Sequence, residues 1–147
     1  MKLGMTGSRE GMSEKALDVL KEFMTSNEVE ECHHGDCVGA DTEFHNLSKE
    51  LNKYIIIHPP NKTYLRSYCK GDESRDPLSY LDRNHYIVDE TDMLIAFPKE
   101  DKEVWRSGTW STIRYARKQG KRVYIVYPSG EVQEEDNKKM IYIVPYL

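Results

Sequence analysis

The sequence predicts a single α/β domain over 1–147, built on one doubly wound, mostly parallel sheet with helices on both faces. Three observations predict it. Short apolar runs alternate with segments whose apolar residues recur at helical spacing. One run, "YIIIH" (54–58), holds three consecutive isoleucines, the pattern of a strand buried on both faces. Several runs also end in turns of glycine and hydroxyl residues, as strands do where they feed helices.

Taken in order, "KLGMTG" reads as a first strand ending in a turn at Gly7. Ser13 can cap the next segment, where Ala16, Leu17, Leu20 and Phe23/Met24 recur at helical spacing. "VEECHH" is a second strand. After Gly39, Asp41 can cap a helix whose Phe44, Leu47 and Leu51 form one stripe. The isoleucine strand stops at Pro59 and Pro60. Residues 61–79 are polar and irregular, the length and character of a lid or binding loop. Asp76-Pro77 can open a third helix, with proline at its first position and Leu81, Arg83, Asn84 and Val88 along it. "DMLIAFP" (92–98) is a strand. "SGTWSTIRYARKQG" is a helix with Ile113 and Ala116 inward, Lys118 near its carboxyl end and Gly120 as its stop. "RVYIVYP" (122–128) is a strand, 129–139 a surface loop, and "MIYIVPYL" (140–147) a final strand with Pro145 marking an edge.

The chain has 147 residues, 38% hydrophobic and 31% charged, with a net charge of -4. Proteins that live on the nucleic-acid backbone are usually basic, so wholesale nucleic-acid binding is disfavoured. No stretch approaches the roughly 20 apolar residues of a membrane span, and "MKLGMTGSRE" lacks the apolar run of a signal peptide, so a cytoplasmic protein is expected. Three cysteines, Cys32, Cys37 and Cys69, are an odd count and argue against a disulfide framework.

Three strand-to-helix turns carry the candidate site. They are Thr6-Gly7-Ser8-Arg9, then Gly35 through Asp41 (Gly35, Asp36, Cys37, Val38, Gly39, Ala40, Asp41), then Arg106-Ser107-Gly108-Thr109. Glycine lets a backbone approach a ligand, a helix amino terminus offers free N–H groups, and hydroxyl and guanidinium donors suit phosphate oxygens. The competing reading is that these are ordinary turn and capping residues.

"GMTGSRE", "HHGDCVGAD", "YLDRNHYIVDETDMLIAF" and "RSGTWSTIRYARKQGK", in this order and spacing, resemble the SLOG superfamily of Rossmann-like nucleotide-binding proteins. The likeness is to its small stand-alone members and to the core of DNA-processing protein A. The third stretch is also similar to Lonely Guy phosphoribohydrolases. The resemblance spans 2–128 and implies a nucleotide-type ligand. By it, Gly7, Ser8 and Arg9 meet one end of the ligand, and Gly35, Gly39 and Asp41 line a second wall, with Asp36 and Ala40 in the same turn. Asp41 would be a ribose-hydroxyl acceptor, Ser107, Gly108 and Thr109 would hold phosphate, and Arg83 and Asn84 would lie near the pocket. The hydrolases carry "PGGxGTxxE"; here the glutamate position holds Thr112, which cannot serve as a carboxylate base.

The cluster "CHHGDC" (32–37) invites a metal. Zinc wants four converging ligands from separated pairs, and no second pair follows; Cys69 and His85 qualify only if the fold brings them close. No metal and no other cofactor is called for. On a strand, Cys32 and His34 point to one face and His33 to the other. Cys37 reads as turn-lining, and a catalytic thiol there would need a depressed pKa. Trp110 fits a base-stacking or a core role, Tyr64 and Tyr68 a closing loop or plain surface, and 99–106 a solvated loop without chemistry.

The function these residues predict is capture of a nucleotide or nucleotide-derived small molecule, as sensor, carrier or sponge. The alternative is an enzyme acting on the N-glycosidic bond of a nucleoside phosphate, with Asp41 its best catalytic candidate and Asp36 and Glu10 the other nearby carboxylates. A single-stranded DNA accessory factor is the third reading. Relatives of this fold often pair, so the resemblance also implies a homodimer, which the helix faces do not establish.

Overall fold

A computed structural model describes residues 1–138. Seven strands form one sheet in the order β4-β3-β2-β1-β5-β6-β7. They are β1 (Lys2–Gly7), β2 (Glu31–His34), β3 (Tyr54–Ile57), β4 (Glu73–Ser74), β5 (Met93–Phe97), β6 (Arg122–Val126) and β7 (Val132–Asp136). Every pairing is parallel except β6 with β7. The expected strand over 140–147 lies outside the described residues.

Among the described residues, four helices cover the sheet: α1 (Glu14–Ser26), α2 (Ala40–Glu50), α3 (Tyr80–Asp89) and α4 (Gly108–Lys118). α1 and α2 close one core, through Leu20, Phe23, Phe44 and Leu47 against Leu3, Met5 and Ile95. α3 and α4 close another, through Val88, Trp110, Ile113 and Ala116 against Leu94 and Ile125. Ile55, Ile56 and Ile57 are all buried, so the isoleucine run is two-faced as its composition requires. Each such side chain contributes about 2 kcal/mol by leaving water.

The chain winds from β1 outward to β4, then crosses back through α3 to place β5 on the other side of β1. The winding direction reverses between β1 and β5. Helices on either side of that point leave a crevice at the carboxyl ends of the two strands, where ligands of open α/β sheets bind.

Four local expectations are corrected. α3 begins at Tyr80, because Ser79 supplies the cap by accepting from the Asp82 amide; the Asp76-Pro77 start is too early. Asp41 lies inside α2, whose cap is Gly39 with no side-chain bond, so Asp41 is free to turn its carboxylate back. Residues 129–139 are not simply loop: β7 pairs with β6 along its whole length. Its acidic residues obscured it, and Arg117 holds it to α4 by two bonds to the Glu135 carboxylate, each 2.8 Å. Segment 61–79 is pinned rather than lid-like, with a 3₁₀ turn at Thr63–Leu65 and β4 added to the sheet edge. No helix among the described residues is long and apolar enough to cross a membrane.

Candidate functional site

A cavity of about 500 Å³ opens at the reversal point. Its lining brings together Gly7, Ser8 and Arg9 after β1, Gly35 and Asp41 after β2, Arg83 and Asn84 of α3, and Ser107, Gly108 and Thr109 at the start of α4. Asp36, Gly39 and Ala40 are not in it.

The reasons lie in how the first two turns pack. A Cβ on Gly7 would come 2.6 Å from the Ala40 Cβ, so glycine there lets α2 approach β1. The Ala40 amide donates to the Ser8 carbonyl at 2.9 Å. Gly39, at φ +94, lies flat against the Arg9 carbonyl, which leaves no space for a side chain. Gly39 and Ala40 therefore join one turn to the other. Asp36 faces away from the cavity. Its carboxylate, fully buried, accepts from Arg66 Nε at 2.9 Å and the Cys69 amide at 2.8 Å, and its carbonyl accepts from the Ser67 amide at 2.8 Å. Asp36 thus ties down the 61–79 segment.

The second turn spends its amides internally. Asp36 N–H goes to His34 Nδ1, Cys37 N–H to Asp41 Oδ2, and Val38 N–H to the Leu65 carbonyl. What it offers the cavity is side chains. Burial raises the Asp41 carboxyl to about 6, against the opposing pull of the Arg83 guanidinium and the Cys37 amide. Burial also pushes the Cys37 thiol up, so it is no ready thiolate.

Arg83 is the most enclosed charge of the site, 4% exposed. Its Nη1 donates to the carbonyls of Gly35 and of His58, the latter at 3.1 Å, while Nη2 lies 3.6 Å from Cys37 Sγ. Its Nε has no partner among the described residues. The Tyr80 ring packs against both Arg83 and Arg9, with the guanidinium carbons 5.0 and 5.2 Å from its centroid. Arg9 Nη2 also donates to the Tyr80 hydroxyl at 3.1 Å. Stacking of this kind holds two cations near one cavity without neutralising them.

The third turn is built differently. Ser107 caps α4 by accepting from the Trp110 amide at 3.2 Å. The Gly108 and Thr109 amides belong to the first turn and have no intrahelical partner. Among the described residues, a Cβ on Gly108 would meet nothing within 4 Å beyond its chain neighbours and its own helix backbone. Thr112, at the hydrolase glutamate position, donates its hydroxyl back to the Gly108 carbonyl at 2.9 Å. Trp110 is buried core, not a stacking platform.

Sequence reasoning missed Lys99, Glu100 and Tyr80, which line the cavity together with Arg106 of the third turn. Lys99 and Glu100 sit in the segment expected to carry no chemistry. The available signal was position: that segment follows β5, one of the two strands flanking the reversal. Tyr64 and Tyr68 are exposed and outside the lining.

The histidines divide between the two faces of β2 as strand alternation requires. His34 Nε2 is 2.9 Å from His45 Nδ1, with Cys69 beside them. His33 Nδ1 is 2.8 Å from His58 Nε2, with Glu90 beside them. The fold does bring Cys69 to His34, whereas His85 stacks on Tyr115 at 3.7 Å between centroids.

No protein-family model matches the sequence, and no curated protein matches it either. A solved structure does match: that of the molybdenum cofactor binding protein from the phototrophic bacterium Rippkaea orientalis. It superimposes with a TM-score of 0.67 over 99% of this chain and 97% of that one, at 18% sequence identity. Likeness at that identity is likeness of fold, and the shared fold is Rossmann-like.

Proposed function

We propose that this chain binds a phosphate-bearing, nucleotide-type small molecule in the cavity between β1 and β5, as sensor, carrier or sponge. One observation carries the reading: the amino end of α4, Ser107, Gly108 and Thr109, lines that cavity, and the space on the side-chain face of Gly108 is clear of other elements. An anion there would meet two unpaired amides, the positive end of the helix dipole and the hydroxyls of Ser107 and Thr109. Arg9, Lys99 and Arg106 line the same cavity, although Lys99 also lies 3.6 Å from the Glu10 carboxylate. At the other end, Arg83, Asn84 and Asp41 offer donors and an acceptor suited to the polar edge of a heterocycle.

The volume falls in the range of roughly 300–1,000 Å³ typical of small-molecule pockets. The resemblance to SLOG proteins supports the same ligand class. So does the fold shared with a protein described as binding the molybdenum cofactor. That cofactor is a phosphorylated pterin, so a pterin phosphate joins the nucleoside monophosphates as a first candidate. Any molybdenum would arrive as part of the ligand.

Calorimetric titration with nucleoside monophosphates, a phosphorylated pterin and their dephosphorylated counterparts tests the proposal. The expected result is binding that is lost with the phosphate. Binding of none of them sinks it. Asp41, a carboxyl near neutrality in the cavity, favours a second reading, hydrolysis of an N-glycosidic bond. Release of free base that Asp41→Asn abolishes would establish it; binding without release would dismiss it.

A further inference from the structure

A second cavity, of about 270 Å³, is lined by His58, Arg75, Asp76, Leu78, Arg83, Tyr86 and Glu90. The hydrogen bonds behind it leave an unresolved mismatch. Glu31 Oε1 lies 2.7 Å from His33 Nε2, and a carboxylate can only accept, so the proton of His33 sits on Nε2. His33 is buried, and burial disfavours the charged imidazole. Its Nδ1 is then an acceptor, and His58 Nε2, 2.8 Å away, must be the donor. His58 is buried in the same way and likewise carries a single proton. His58 Nδ1 is left with a bare lone pair that faces Glu90 Oε2 at 3.7 Å. Two acceptors confront each other across the gap. Glu90 Oε1 is occupied by Arg75 at 2.8 Å, and Arg75 is also matched by Glu73 at 2.9 Å.

We infer that His58 Nδ1 and Glu90 Oε2 form a binding site for a divalent transition-metal ion, open to the second cavity. Imidazole and carboxylate suit zinc, nickel or cobalt. His58 hands its other N–H to His33, which hands its own to Glu31. That is the arrangement by which outer groups fix the tautomer of a ligating histidine. The ligand atoms of His33, His58 and Glu90 all lie within 4.8 Å of one another, so His33 is a positioning residue close enough to feel the ion. The sister cluster, His34, His45 and Cys69, lacks the mismatch. There the Asp36 amide donates to His34 Nδ1, so His34 Nε2–H donates to His45 Nδ1 and the chain is satisfied.

The test is titration of chelator-stripped protein with Co²⁺ and Zn²⁺ at pH 7.5, by calorimetry and, for cobalt, visible absorption. Binding of one ion per chain is expected, weakened tenfold or more in Glu90→Gln and His58→Gln and unchanged in His45→Gln. If His58→Gln fails to fold, Glu90→Gln decides, since Glu90 is half-buried and glutamine can still accept from Arg75. Absence of binding, binding indifferent to Glu90→Gln, or binding removed by His45→Gln overturns the assignment.

Discussion

The Arg83 guanidinium occupies the space that any side chain at Gly35 would need, and it donates to the Gly35 carbonyl. The two residues are 48 apart in sequence and form one wall of the cavity. Gly35 is glycine because of the arginine, not because its backbone needs a left-handed conformation.

Gly35→Ala is therefore expected to destabilise by about 1–3 kcal/mol through overpacking against a group that cannot move without losing its bonds. Arg83→Met should cost about 2–4 kcal/mol by leaving the Gly35 and His58 carbonyls without a buried donor. Urea denaturation measures both. An unchanged midpoint in Gly35→Ala would contradict the packing described.

Asp41 predicts a pH dependence. Its pKa is raised from 3.8 to about 6 on folding, so the folded state holds its proton more tightly than the unfolded state. Stability from this group is full below pH 3.8 and falls as pH rises towards 6, by about 3 kcal/mol in all. Asp41→Asn should remove that slope and equal or exceed the wild type in stability at pH 7.5. Denaturation curves at pH 4.5 and 7.5 compare the two chains; parallel behaviour would refute the shift.

At the start of α4, stability and ligand affinity should separate. Gly108→Ala meets no other element among the described residues, so the fold should gain up to about 1 kcal/mol. The added methyl group fills the approach to the helix amides and should weaken phosphate-dependent binding tenfold or more. Ser107→Ala removes a cap and should cost about 1 kcal/mol. Thermal unfolding with and without ligand reads both effects.

Asp36→Asn leaves an acceptor for the Cys69 amide but removes the charge that pairs with Arg66. The expected loss is about 1–3 kcal/mol, with faster proteolytic cleavage in 61–79 than in the wild type. Equal cleavage rates would show that the segment is held by something else.

The isoleucine run, the capping Ser13 and the three turns made the parallel core and the cavity legible, because each depends on local chemistry that composition reveals. Asp36 and Asp41 were not separable in the same way. They sit five positions apart in one turn, and what turns Asp36 from the cavity is Arg66 and the Cys69 amide, from a distant segment. Val132–Asp136 hid as loop because an edge strand with acidic side chains needs only its backbone to pair. Pro77 looked like a helix start, but Ser79 has the hydroxyl that satisfies an amide. The Arg9–Tyr80–Arg83 stack joins the turn after β1 to α3, and that pairing has no sequence signature.

The two borders of the sheet carry a last consequence. On one side it finishes in a strand of two residues, Glu73 and Ser74; on the other, β7 displays Gln133, Glu134 and Asp136 to solvent. Among the described residues, neither border offers a long greasy ribbon onto which a neighbouring molecule could zip, and repulsion between like charges penalises the attempt.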